Sequence, residues 1–257
     1  MAIISHKKIS KNLSNLFFIM FQLYHICDKL KSTMMEKKLF DDKIEISWCL
    51  WCAADKESAD LAQAVQIVTG QMMLVLSVAP ASVSVVWPWL EDGTTKIMAR
   101  FYVSDKKINE AVISDVVKNI NQTFKQGADG AQVFLDFSEL GAFVDFLCAI
   151  RDDLFFDKDL SIGLDLSQIG PFDWNDLFAK VRKINANSIL FVFPKDTGDK
   201  SDFVGRIYAM LNAWNNNNDF ELNFAFAPDS VRIEQVVRMA EQMQPQLVNK
   251  LKFFVNF

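Results

Sequence analysis

Leu160-Ser161-Ile162-Gly163-Leu164-Asp165-Leu166 alternates without a break. Leu160, Ile162, Leu164 and Leu166 fall on one face, and Ser161, Gly163 and Asp165 on the other, which is the two-residue period of a β-strand. The aliphatic face suits a covering layer of helices. The small and acidic face suits the inside of a ring.

Outward from this stretch the same kind of run recurs. β-rich segments at 44–51, 72–79, 96–103, 131–137, 160–166, 188–194, 221–227 and 251–256 begin roughly every 30 residues, the repeat of a strand–helix unit. Between them the periodicity is helical. Ile108, Val112, Val116, Ile120 and Phe124 are spaced by four, and Phe203, Val204, Ile207, Tyr208 and Leu211 form one stripe. Trp174, Leu177, Phe178 and Val181 form another, as do Ile233, Val236, Val237, Ala240 and Met243. These stripes are helix faces lying on a sheet. Stop signals agree: Gly127 and Gly130 bracket the end of one helix, and Gln244-Pro245 interrupts another. The segment 81–90 contains Pro88 and predicts only about two helical turns.

Alternating β and α elements imply parallel strands joined by right-handed crossovers. Eight such units favour closure, so the fold class is α/β, a (β/α)8 TIM barrel, with an open doubly wound sheet as the alternative. The barrel is expected over 39–257 and a helical extension over 1–38. No helix is expected after the eighth strand, and an apolar helix at 16–26 is placed over the seam between strands eight and one.

Composition narrows the function. The net charge is −5, of which residues 1–38 carry +5, leaving −10 for the other 219. An acidic body lacks the basic stripe that phosphodiester backbones require, so no nucleic-acid partner is expected. Four cysteines (Cys27, Cys49, Cys52, Cys148) are too few for a disulfide scaffold, which suggests a reducing cytoplasm. Lys7, Lys8 and Lys11 precede an apolar run that Gln22 and His25 interrupt. That run is too short for stable membrane insertion. It reads as a helix on the barrel, with a start at Met34 or Met35 or a targeting segment as the other readings.

Strand parity assigns the lumen. It sends Glu45, Ser47 and Cys49 inward from strand one, and Met98, Arg100 and Tyr102 from strand three. Gln132, Phe134 and Asp136 point inward from strand four, and Ser161, Gly163 and Asp165 from strand five. Strand seven contributes Asn223, Ala225 and Ala227, and strand eight Lys252, Phe254 and Asn256. Asp136 and Asp165 then stand near the C-terminal mouth, where barrels of this type keep their chemistry. A buried carboxylate needs a partner, and Arg100 is the expected one. The alternative is a structural ion-pair layer plugging the barrel. In strand six Leu190 and Val192 suit the outside no better than Phe191 and Phe193, so the direction of Lys195 stays open. If Phe193 is inward, so is Lys195, where a desolvated lysine serves as Schiff-base nucleophile or general base; the alternative is a solvated loop lysine.

Other motifs contribute little. Cys49-Leu50-Trp51-Cys52 has thioredoxin spacing but lies at a strand end, without the helix N-terminus that activates such thiols. Both histidines, His6 and His25, precede the barrel, which leaves no Ser-His-Asp or histidine-metal mechanism. No metal or other cofactor is expected, and no Gly-x-Gly-x-x-Gly or Walker A sequence occurs. The loop Ala227-Pro228-Asp229-Ser230 lacks phosphate-binding glycines, though Ser230 opens a helix that suits an anion.

With its eight units, histidine-free core and lysine just after strand six, the chain resembles the aldolase-type barrels, in particular class I deoxyribose-phosphate aldolases. The resemblance is one of architecture over roughly 40–257. It implies Lys195 as Schiff-base lysine, with Asp136 or Asp165 assisting proton transfer. Arg100, Ser47, Asn256 and Ser230 are the expected substrate-binding groups. The leading reading is a lyase or isomerase acting on a small carbonyl or phosphosugar-like substrate. The other is a non-catalytic binding or assembly module, with a homo-oligomer contact at Trp87-Pro88-Trp89.

Overall fold

Eight parallel strands close into a ring in chain order, each paired with its sequence neighbour and the last with the first. The computed structural model describes residues 47–52, 57–103, 107–148, 157–193, 200–214, 218–225 and 230–256. The chain divides into Met1–Ile44 and Glu45–Phe257, and all described residues belong to the second unit. The extra helix expected within 1–38, and its place over the seam, lie outside them.

The strands are β1 (Ser47–Trp51), β2 (Val75–Val78), β3 (Lys96–Tyr102), β4 (Gly130–Phe134), β5 (Asp159–Asp165), β6 (Ser188–Val192), β7 (Glu221–Ala225) and β8 (Leu251–Asn256). The helices between them are α1 (Ser58–Gly70), α2 (Val83–Leu90), α3 (Glu110–Lys125), α4 (Leu140–Cys148), α5 (Trp174–Lys183), α6 (Lys200–Ala213) and α7 (Ser230–Met243). A TIM barrel is therefore the architecture, and the open sheet is excluded.

Local chemistry accounts for most boundaries. Asn109 caps α3, its side chain accepting from the Val112 N–H at 3.0 Å. Gly127 ends that region with a φ of 104°, a left-handed conformation that glycine takes without strain. The helix α2 is eight residues long with Pro88 inside it, in line with two turns. Two expected strands are shorter than their apolar runs. The second begins only at Val75, because Met72 turns the chain with a φ of 51°. The fourth stops at Phe134, and Phe137–Glu139 form a 3-10 turn instead.

The outer face is aromatic where the helices cover it. Phe191 of β6 meets Trp174 of α5 and Phe224 of β7 at ring distances of 5.6 Å each, and Phe224 stacks on Phe253 of β8 at 5.8 Å. Burying such a ring contributes about 1.5–3 kcal/mol. This packing fixes the parity of β6: Phe191 is outward, and Leu190 and Val192 are inward with Cys49, Val75, Met98, Phe134 and Phe254.

The N-terminal mouth is ionic. Lys96 pairs with Asp159, and Lys252 with Glu221, both at 2.6 Å. These side chains border a cavity of about 380 Å³ with Asn187, Asp219 and Lys250. The lumen thus runs from a paired charge layer, through Ser77, Gln132, Ser161 and Asn223, to aromatics at the other end.

Candidate functional site

Four of the eight strand ends at the C-terminal mouth carry the aromatic and acidic side chains of the candidate site. Trp51 ends β1, Tyr102 ends β3, Phe134 ends β4 and Asp165 ends β5. Trp51 meets Phe134 edge-on at 5.3 Å and Phe254 at 6.5 Å, while Tyr102 stacks on Phe134 at 4.9 Å. The result is an aromatic floor with one exposed phenol. Partial burial of its ring against Phe134 pushes the Tyr102 pKa up, against the opposing pull of Arg100, so the phenol keeps its proton at neutral pH.

Asp165 ends β5, and Asp136 lies two residues past the end of the neighbouring β4, whose last residue, Phe134, pairs in register with Gly163. Both aspartates are half-buried. Asp165 Oδ1 accepts from the Ser167 N–H at 2.8 Å and the Ser167 hydroxyl at 2.7 Å, capping a short 3-10 turn. Asp136 Oδ1 accepts from Gln168 Nε2 at 3.1 Å, while the Gln168 Oε1 accepts from the Phe137 N–H at 2.9 Å.

The expected pairing of Arg100 with these aspartates does not form. Arg100 is buried and turns the other way, toward β1 and β2. It donates through Nη2 to the Cys52 carbonyl and through Nη1 to the Ser77 carbonyl at 3.3 Å. Its guanidinium carbon lies 4.4 Å from the Trp51 ring centroid, a cation–π contact. Ser77 in turn donates to Gln132 Oε1 at 2.5 Å, so one polar chain crosses the lumen beneath the floor. Desolvation lowers the Arg100 pKa, yet a guanidinium remains charged.

The other expected site residues scatter. Ser47 opens β1 beside Lys252 and belongs to the N-terminal end, away from the carboxylates. It shares the parity of Cys49, but parity says nothing about height in the barrel. Asn256 pairs with Trp51 in register and so ends β8 at the C-terminal mouth, and Ser230 begins α7. Lys195 lies outside the described residues. Phe193, the last described residue before it, is buried against Phe203 of α6 at a ring distance of 5.4 Å. Sequence reasoning missed Trp51 as a site residue, although one more step along the parity of Ser47 and Cys49 reaches it.

Among the described residues no group of three or more His, Cys, Asp or Glu side chains could hold a metal ion. Cys49 is buried in the lumen, and desolvation pushes its thiol up to about 12, far from a reactive thiolate. No described helix is long and apolar enough to cross a membrane.

Against known proteins, the ring and its crossovers superpose on a putative deoxyribose-phosphate aldolase from Coccidioides immitis, with a TM-score of 0.60 and 10% identity over 89% of this chain and 92% of that one. The fold is that of an aldolase-type barrel. The deoxyribose phosphate aldolase of Aeropyrum pernix, described as having a unique tetrameric structure, superposes with a TM-score of 0.61 at 10% identity, covering 82% of this chain and 84% of that one. The putative copper homeostasis protein CutC from Streptococcus agalactiae gives 0.56 at 11% identity, over 82% and 98%. No family model and no curated protein matches the sequence. At such identities the likeness of this chain to its neighbours is one of fold, and fold alone does not fix the reaction.

Proposed function

We propose that this aldolase-type barrel is a lyase acting at its C-terminal mouth on a small carbonyl or phosphosugar-like substrate. The observation that carries the reading is that Asp165, at the end of β5, and Asp136, just past the end of neighbouring β4, share the end of the barrel with the aromatic floor, where such barrels work. Asp165 is already held by Ser167, so it acts as the fixed member. Asp136 is the group that moves a proton at the substrate carbon. Tyr102, exposed and protonated, donates to the carbonyl oxygen. Lys195, by family resemblance, supplies the amine that condenses with the carbonyl carbon and releases water.

Borohydride reduction in the presence of small aldehydes and ketones, followed by mass mapping, tests the covalent step. A substrate-sized adduct on Lys195 is expected, together with turnover that falls by about 100-fold or more in Asp136→Asn. Absence of both adduct and turnover across such a panel overturns the enzyme reading.

The second reading, a non-catalytic binding or assembly barrel, has its own support: Phe134 fills the lumen and Phe193 faces the helix layer. A small-molecule ligand bound without turnover would favour it. Light scattering decides whether the chain forms a homo-oligomer. We place its work in a reducing cytoplasm, in keeping with the free thiols of Cys49 and Cys148, and expect no nucleic-acid partner.

A further inference from the structure

Phe172 stands almost wholly in water, 94% exposed, on the connection between β5 and α5. Single exposed apolar side chains are common, but this ring is held out by a pinned turn. The Gly170 N–H donates to Asp173 Oδ2 at 3.0 Å, and the Asp173 N–H donates to the Gly170 carbonyl at 3.2 Å. From α6, Arg206 donates to the Ile169 carbonyl. A ring whose backbone is already fixed gives up little freedom when a partner covers it.

Its complement lies beside it. A groove of about 530 Å³ runs between α5 and α6, walled by Trp174, Tyr208, Asn212, Ala213 and Trp214. Phe172 borders this groove without filling it, and Tyr208 is itself 56% exposed. Among the described residues that line the groove, none is Asp, Glu, Lys or Arg. The chain carries a net charge of −5, so two copies repel wherever their acidic surfaces meet. They approach at least cost through a patch that bears no charge. A basic partner, by contrast, finds no carboxylate here to draw it. A ring and a slot side by side also suit a twofold contact, in which each copy gives what it receives.

We propose that the α5–α6 face is the contact between two copies of this chain, with Phe172 of each protomer seated in the groove of the other. The proposal rests on no reaction at the C-terminal mouth. It differs from a contact through Trp87-Pro88-Trp89, where the Trp87 ring already packs against Gly127.

The experiment uses the full chain and reads its mass by light scattering after gel filtration, across the soluble concentration range. A mass that rises with concentration toward twice that of one chain is expected. Phe172→Asp should weaken the association by about 10-fold or more, because a carboxylate entering an uncharged slot loses its water without gaining a partner. Trp89→Asp, on the rival face, should leave the mass unchanged. Both substitutions alter exposed side chains, so each variant should melt at the wild-type temperature when dilute. A photoreactive benzoyl-phenylalanine placed at position 172 gives an independent readout, with a covalent dimer joined within 208–214 expected. A monomer at every concentration overturns the proposal. So does a dimer that survives Phe172→Asp, one that Trp89→Asp dissolves, or a covalent dimer joined outside the groove. Adducts at Lys195 are scored separately, so the contact and the lyase reading fail independently.

Discussion

Phe134 occupies the space that Gly163 leaves on the neighbouring strand. The two are register partners, and a Cβ on Gly163 would lie 2.3 Å from Phe134 Cδ1, well inside contact distance. The aromatic floor of the mouth therefore depends on a missing side chain one strand away.

Gly163→Ala forces Phe134 out of place, and overpacking of this kind costs about 1–3 kcal/mol. The urea midpoint should fall with an unchanged slope. In the Phe134→Leu background the same substitution should cost less, because the two residues share one space.

Gly127 poses the same question on the outer surface. Its φ is 104°, and an added Cβ would fall 2.1 Å from Cδ1 of Trp87. Gly127→Ala should cost about 1 kcal/mol or more and alter the near-ultraviolet circular dichroism of the tryptophans. Removing the ring in Trp87→Ala should relieve the clash but not the backbone cost.

Asp165 and Asp136 should separate scaffold from chemistry. Asp165→Ala removes the acceptor for both the Ser167 N–H and its hydroxyl, a loss comparable to a helix cap at about 1 kcal/mol. Asp136→Asn removes no backbone partner and should leave the melting temperature close to wild type. A larger stability loss in Asp136→Asn than in Asp165→Ala would contradict this assignment.

Cys49 makes the fold sensitive to alkali. Its pKa rises from 9.0 to about 12 in the folded chain through desolvation, so the native state holds a proton that the unfolded chain gives up. The stabilisation is complete below about pH 9 and is lost as the pH climbs toward 12, with a slope of about 1.4 kcal/mol per pH unit for one proton. Urea melts across this window should show a shallower decline in Cys49→Ala than in wild type.

Much of the architecture is legible residue by residue. The alternation in 160–166 puts Asp165 in the lumen, and the same rule places Arg100 and Phe134, whereas Asp136 lies past the end of its strand, beyond the reach of the rule. It leaves 190–193 open, because Leu190, Phe191, Val192 and Phe193 are all apolar and no alternation exists to read. The choice there came from Trp174 and Phe203, residues of separate helices that accept Phe191 and Phe193.

The barrel, its repeat and the inward set of most strands follow from local pattern, because a strand's period and a helix's stripe are local properties. What that inward set does depends on long-range packing. That packing put Ser47 at the far end of the lumen, tied Asp165 to Ser167, and turned Arg100 from the aspartates to Cys52, Ser77 and Trp51. Those outcomes depend on the height at which strands distant in sequence meet, and on which neighbour a long side chain reaches first. Neither quantity is written in the spacing of residues along one strand.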